Sequence, residues 1–397
     1  MKSFTDLNEV AEAIKAMPGK NDAVEAEALA HQNQLTKPPG ALGRLEELAV
    51  FLASWQGRVK PSLKTAQAVV FAGNHGICAQ GVNPFPQEVT SQMVANFTAG
   101  GAAINQLCAV SGADLNVVPL SLDTPTADFT EQEAMSEDEL CEAMSRGAQA
   151  VNPDADILLL GEMGIGNSTV SSALAASVFG GDVARWVGAG TGSDEAGIAR
   201  KQAVIETGLN KHGARTDLSA LLAFGGREQA AICGAILAAR AACIPVVLDG
   251  FICSAAAAAL FGTAPGSLDH CLVGHVSAEP GHKHLLAAMG KSAILHLDMR
   301  LGEGTGAANR SVWSLDTDSW AVFAQAEWAL TDTLSLTGGL RWTEDSKDYA
   351  LDAECLEEAP GACAFVAFDA VGDVVVDGVN LGPAVTDISG EVKLDRD

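Results

Sequence analysis

The chain is short of basic residues, paired cysteines and long apolar runs, and each shortage removes a class of function. Lys and Arg total 24 against 50 Asp and Glu in 397 residues, a formal charge of −26. A polyanion of that size repels phosphate backbones and acidic lipid, so nucleic-acid and membrane-surface binding are not expected. No apolar run reaches the roughly 18 residues that a membrane helix needs. The opening MKSFTDLNEVAEAIKAM is polar and amphipathic, without the apolar segment of a signal peptide. The nine Cys include no C-x-x-C pair. That argues against a zinc site and a disulfide framework, and it suits a cytoplasmic protein. With 48% hydrophobic and 19% charged residues, most of the chain is expected to fold.

The composition breaks near residue 310. Residues 311–397 carry 18 acidic and 4 basic side chains, four of the six Trp and the only Tyr, Tyr349, whereas all eight His precede the break. Before it, AQAVVFAG (66–73), DILLLG (156–161) and IPVVLDG (244–250) read as buried parallel strands. They alternate with helical stretches at 101–113, 168–180 and 227–242, which predicts an α/β doubly wound, mostly parallel sheet. After the break the period is two. Residues 320–328 and 334–342 alternate apolar and polar side chains, with a turn expected over Ala329–Thr333, as in an antiparallel hairpin.

Seven segments of the first part carry candidate chemistry. LTKPPGALGRLEELA (35–49) is a Pro-Pro-Gly turn before a helix expected to carry Leu42, Leu45 and Leu48 on one side. FAGNHGI (71–77) ends a strand in a glycine loop holding His75, and ligands sit at the carboxyl ends of such strands. Phe85, between Pro84 and Pro86, is either a wall for a flat ligand or a packed loop residue. GEMGIGNST (161–169) joins a strand to a helix N-terminus through glycines, an arrangement that binds anions. Asn167, Ser168 and Thr169 are expected to cap that helix and donate to phosphate. Glu162 would repel a phosphate and suits a hydroxyl, an N–H or a developing cation better. The loop carries neither a Gly-Lys-Ser/Thr signature nor G-x-G-x-x-G spacing. GAGTGSD (188–194), with Lys201 beyond it, is a second candidate phosphate loop. FGGREQ (224–229) opens an Ala-rich helix that reads mostly as core. His275, Glu279, His282 and His284 invite a metal reading. Pro280-Gly281 is expected to break the helix that would align them, so no metal site is predicted. In RLGEGTG (300–306), glycines around Glu303 allow a substrate close approach to a general base.

Together these segments resemble the nicotinate-nucleotide:dimethylbenzimidazole phosphoribosyltransferase family, in unbroken order from about Phe4 to Ala308. The resemblance implies transfer of the phosphoribosyl group of nicotinate mononucleotide to 5,6-dimethylbenzimidazole, in cobalamin nucleotide-loop synthesis. It implies no cofactor, a homodimer, and a small helical domain over residues 1–50 beside an α/β domain over 51–310. It assigns Glu303 as general base and Glu162 as second carboxylate. Gly164, Gly166, Asn167, Ser168, Thr169, Gly190, Thr191, Gly192 and Lys201 match its phosphate-binding parts, and Asn83, Phe85 and Gln92 fall in its base pocket. Position 74 is Asn where the family has Asp, and Ala41 stands where Ser is usual. The helical segment that follows GEGTGA in the family is expected to be missing, which leaves a catalytically impaired binding module as the alternative reading. Residues 311–397 resemble instead a strand pair of a TonB-dependent outer-membrane receptor barrel, so the tail is expected to be foreign to the enzyme and without transport function, although a genuine β appendage stays open.

Overall fold

The computed structural model describes residues 3–190 and 192–296, together with the backbone of the strands found within residues 309–393. The chain divides into two compact units, Met1–Gly304 and Thr305–Asp397.

In the first unit, six strands form one parallel sheet: β1 (Ala66–Ala72), β2 (Ala113–Pro119), β3 (Ile157–Met163), β4 (Val246–Leu248), β5 (Cys271–His275) and β6 (Ala293–Leu295), in the order β2-β1-β3-β4-β5-β6. Both faces are covered. On β1, Val69 and Phe71 join one apolar cluster, while Val70 and Ala72 join a second with Met93, Phe97, Ala102 and Met163. That two-sided burial is why β1 reads as a continuous apolar run. Each Val, Phe or Met among them contributes about 1.5–3 kcal/mol on leaving water. The expected α/β doubly wound architecture is therefore present.

Helices Glu137–Ala150 and Arg227–Ala241 pack backbone to backbone at two glycines. A Cβ at Gly147 would lie 1.8 Å from Ala231 O, and one at Gly234 would lie 1.9 Å from Met144 O. Helix Phe251–Thr263 buries five consecutive alanines, Ala255 to Ala259. The N-terminal residues form helices Leu7–Lys15, Asp22–Gln34 and Arg44–Gln56. The three leucines expected on one side of a helix do not all lie in it, and only Leu48 is half-buried. Leu42 lies in the turn before the helix, and both Leu42 and Leu45 are exposed, whereas Ala53, Ser54 and Trp55 are buried instead. None of the described helices is long and apolar enough to cross a membrane.

In the second unit, β7 (Asn309–Thr331) and β8 (Leu334–Cys355) pair antiparallel, with Val322 opposite Trp342 and Trp328 opposite Leu336. The hairpin is the one expected from the period-two pattern, with longer strands.

Candidate active site

The strand order reverses between β1 and β3, the place where an open α/β sheet leaves a crevice at its carboxyl edge. Glu162 stands on β3 opposite Phe71 of β1, one residue before the strand ends. The chain then turns through Gly164 and Gly166 into helix Asn167–Phe179. Gly166 is the N-cap at φ +91, a left-handed conformation that suits glycine. This corrects the expectation that Asn167, Ser168 and Thr169 cap the helix, since no side chain does. Asn167 instead donates its amide to Glu162. Thr169 is fully buried, and its hydroxyl finds no hydrogen-bond partner among the described residues.

The second glycine loop meets the first. Gly190 adopts φ +57, and a Cβ there would lie 3.0 Å from Ser168 Oγ and 3.1 Å from Lys201 Nζ. Lys201 lies on helix Glu195–His212, is 2% exposed, and donates to Ser168 Oγ at 3.2 Å and Gly188 O at 3.4 Å. Burial holds its ammonium below the ordinary 10.5, with the Glu279 carboxylate pulling the other way. Glu279 accepts the Gly190 N–H at 2.6 Å. Two glycine loops, a hydroxyl and a buried ammonium thus converge beside Glu162. Gly192 continues the loop at φ +134. Thr191 and Glu303 lie outside the described residues.

Two segments that follow β1 reach this loop. Asn83 Oδ1 is 3.6 Å from where a Gly166 Cβ would be, and its amide donates to Phe85 O. Phe85 is exposed, and Gln92 is exposed on helix Glu88–Ala99. From the same helix, the Thr90 hydroxyl accepts the Ile165 N–H at 3.2 Å. Asn74 is buried and donates to Leu122 O at 2.9 Å, a bond that an ionised Asp at this position could not donate.

Pro280 opens helix Pro280–Met289 rather than breaking it. Among the described residues, no cluster of three or more His, Cys, Asp or Glu is placed to hold a metal ion. His282 uses both ring nitrogens, Nδ1 accepting from the Ser277 N–H at 2.9 Å and Nε2 facing Ser254 Oγ at 3.2 Å. Burial, with repulsion from His275, pushes its pKa down to about 4. His284 stacks edge-on to Trp186. A cavity of about 800 Å³ opens among the N-terminal helices, lined by Leu29, Val50 and Trp55 among others, and none of the described candidate residues lines it.

Sequence reasoning misses two features here. It reads Glu279 only as a metal ligand, although a Glu before Pro-Gly at a helix start is placed to accept backbone N–H groups. The second is a fully buried pair, His75 and Glu228, with Nε2 and Oε1 3.2 Å apart. Its signal is a carboxylate in the first turn of an Ala-rich helix that reads mostly as core.

A phosphoribosyltransferase family model matches residues 17–313, and a TonB dependent receptor-like β-barrel model matches residues 296–360. A nicotinate-nucleotide–dimethylbenzimidazole phosphoribosyltransferase of Rhodobacter capsulatus is 58% identical over 308 residues, covering 78% of this chain and 91% of that protein. One from Roseobacter denitrificans is 56% identical over 307 residues, covering 77% and 91%. A crystal structure described as CobT from Thermus thermophilus superposes with a TM-score of 0.67 at 41% identity, over 72% of this chain and 91% of that one.

Proposed function

The chain belongs to the phosphoribosyltransferase family of these relatives, and from that premise we propose that it transfers the 5-phosphoribosyl group of nicotinate mononucleotide to 5,6-dimethylbenzimidazole, giving α-ribazole 5′-phosphate and nicotinate. The product serves cobalamin nucleotide-loop synthesis. What carries the reading is the meeting of Gly190, Ser168 and Lys201 beside Glu162 at the sheet's switch point.

In this reading the nucleotide phosphate lies among Gly164, Gly166, Asn167, Ser168, Thr169, the Gly190–Gly192 loop with Thr191, and the Lys201 ammonium. Glu303 takes the N–H proton of the benzimidazole while the other ring nitrogen attacks C1′ of the ribose. Glu162, held by Asn167, faces the charge that develops on the sugar. Asn83, Phe85 and Gln92 border the base. Nicotinate leaves from a pyridinium, so it needs no acid, and the reaction has no pyrophosphate whose charge a cofactor would offset.

Incubation of the chain with both substrates, read by mass spectrometry, tests the activity. Absence of α-ribazole phosphate from a folded chain that binds the nucleotide sinks it. Glu303→Gln should leave a folded protein with turnover reduced by roughly 10² to 10⁴. The family names favour an enzyme over a binding module without turnover.

We also propose a cytoplasmic homodimer, with residues 1–50 as a small helical domain beside an α/β domain over 51–310, and residues 311–397 as a foreign appendage. Limited proteolysis ending at a stable product near residue 310 supports the appendage, while a fully protected tail refutes it.

A further inference from the structure

His75 and Glu228 are both fully buried, at the β1/β3 switch point and directly beneath the first glycine loop. Their approach is close, at 3.2 Å, but its direction is wrong for a hydrogen bond. Both imidazole nitrogens and both carboxylate oxygens lack a hydrogen-bond partner among the described residues. The side chains next to Glu228 are engaged elsewhere: Arg227 bonds Thr124 O and Glu139, and Gln229 bonds Ser171 Oγ. Glu228 turns instead toward His75, from the first turn of helix Arg227–Ala241, where the helix dipole favours a carboxylate.

Burying an imidazole and a carboxylate without hydrogen bonds weakens a fold, and apolar side chains would fill the same space at less cost. The surroundings are shaped to admit the pair. A Cβ at Gly73 would lie 2.3 Å from Glu228 Oε2. One at Gly226 would lie 2.3 Å from His75 Cε1 and 2.5 Å from each Glu228 oxygen. One at Gly164 would lie 2.9 Å from His75 Nε2 and 3.6 Å from Asn167 Cβ. The loop therefore rests on the imidazole ring, and the ring rests on the carboxylate.

We propose that His75 and Glu228 form a positioning dyad that seats the Gly164–Asn167 loop, and through Asn167 the Glu162 carboxylate, for the nucleotide. The inference rests on the phosphoribosyl-transfer reading above. Glu228 fixes the height of the ring, the ring fixes Gly164, and Gly164 sets where Asn167 delivers its amide to Glu162. Neither dyad member touches a reacting atom. Their effect falls on the nucleotide half of the site, because the residues they support are the nucleotide loop and its carboxylate.

The test is steady-state kinetics on Glu228→Gln, which puts an amide NH2 where a carboxylate oxygen meets the imidazole, and on Gly226→Ala. The second variant drives a methyl group into the dyad, while its own φ of −107 is one that alanine adopts freely. In each we expect the KM for nicotinate mononucleotide to rise at least tenfold and the KM for dimethylbenzimidazole to stay within twofold. A merely structural pair would lower the amount of folded enzyme, and so Vmax, without moving either KM. A nucleotide KM unchanged in both variants overturns the proposal. If Glu228→Gln does not fold, Gly226→Ala decides alone. In the wild-type enzyme, the His75 Cε1–H resonance, located as the signal missing from His75→Asn, must shift on saturation with the nucleotide, and a resonance that does not move also overturns it. Wild-type turnover is measured first. Its absence would refute the phosphoribosyl-transfer reading itself, whereas an active enzyme with an unmoved KM refutes only the dyad.

Discussion

Alanine at position 190 separates backbone strain from loss of phosphate contacts. Gly190 sits at φ +57, where a side chain costs about 1–2 kcal/mol. Its Cβ would also press on Ser168 Oγ at 3.0 Å and Lys201 Nζ at 3.1 Å, so both groups must give way. A hydrogen bond to a charged group contributes about 1.5–3 kcal/mol. At about 1.4 kcal/mol per factor of ten, losing one such bond to the phosphate raises the nucleotide KM roughly 10- to 150-fold. The control is Gly112→Ala. Gly112 caps a helix at φ +69 with nothing within 4 Å of its would-be Cβ, so it bears the strain without touching the site. Urea unfolding should show a loss of about 1–2 kcal/mol for the control, and initial-rate kinetics should show an unmoved KM. Gly190→Ala should lose at least as much stability and show the raised KM. Equal destabilisation of the two variants with a nucleotide KM within twofold of wild type would refute the placing of the phosphate at this loop.

Lys201 attracts phosphate only as the ammonium. Burial has lowered its pKa, so nucleotide affinity should weaken as pH rises through that lowered value, below the ordinary 10.5. The nucleotide KM of the wild type should climb as pH rises toward 10.5, while that of Lys201→Gln should be high and flat. A second prediction concerns stability. Burial alone would raise the pKa of Asp156, but Ser62, the Thr65 N–H and Arg58 outweigh it and hold the carboxyl below 3.8. A depressed carboxyl stabilises the fold above its unfolded pKa and stops doing so as pH falls through the folded value. Asp156→Ala should therefore cost about 1–3 kcal/mol in urea unfolding at pH 7, and the difference should shrink as the pH falls below about 4.

The central strands were legible in the sequence because they are buried on both faces. AQAVVFAG and IPVVLDG contain β1 and β4, and DILLLG covers the first five residues of β3. The outer strands were not. β2 alternates exposed and partly buried residues, β6 has three residues, and Gly274 and His275 dilute the apolar run of β5. In the site, the glycine loops and Lys201 were legible because their backbone chemistry is local. The helix start was missed by one residue, since a cap at Gly166 depends on a positive φ that spacing does not reveal. The leucine stripe is broken because the helix begins only at Arg44, after Leu42, and buries Ala53 and Trp55 while Leu45 stays exposed. The His75–Glu228 pair was missed because it joins residues 153 positions apart, and the carboxylate in the Ala-rich helix does not say which residue it meets.

The glycine contacts between helices Glu137–Ala150 and Arg227–Ala241 reach into heredity as well as packing. Gly234 lies six residues from Glu228, about 9 Å along the helix axis. Keyed at Gly147 and Gly234, the helix behaves like a tongue in its groove and can neither slide nor roll. Any side chain at either glycine would lift the helix, and Glu228 with it. A screen of random variants for lost α-ribazole 5′-phosphate synthesis should therefore recover substitutions at Gly147 and Gly234 alongside those at Lys201 and Glu162, although neither glycine meets a substrate.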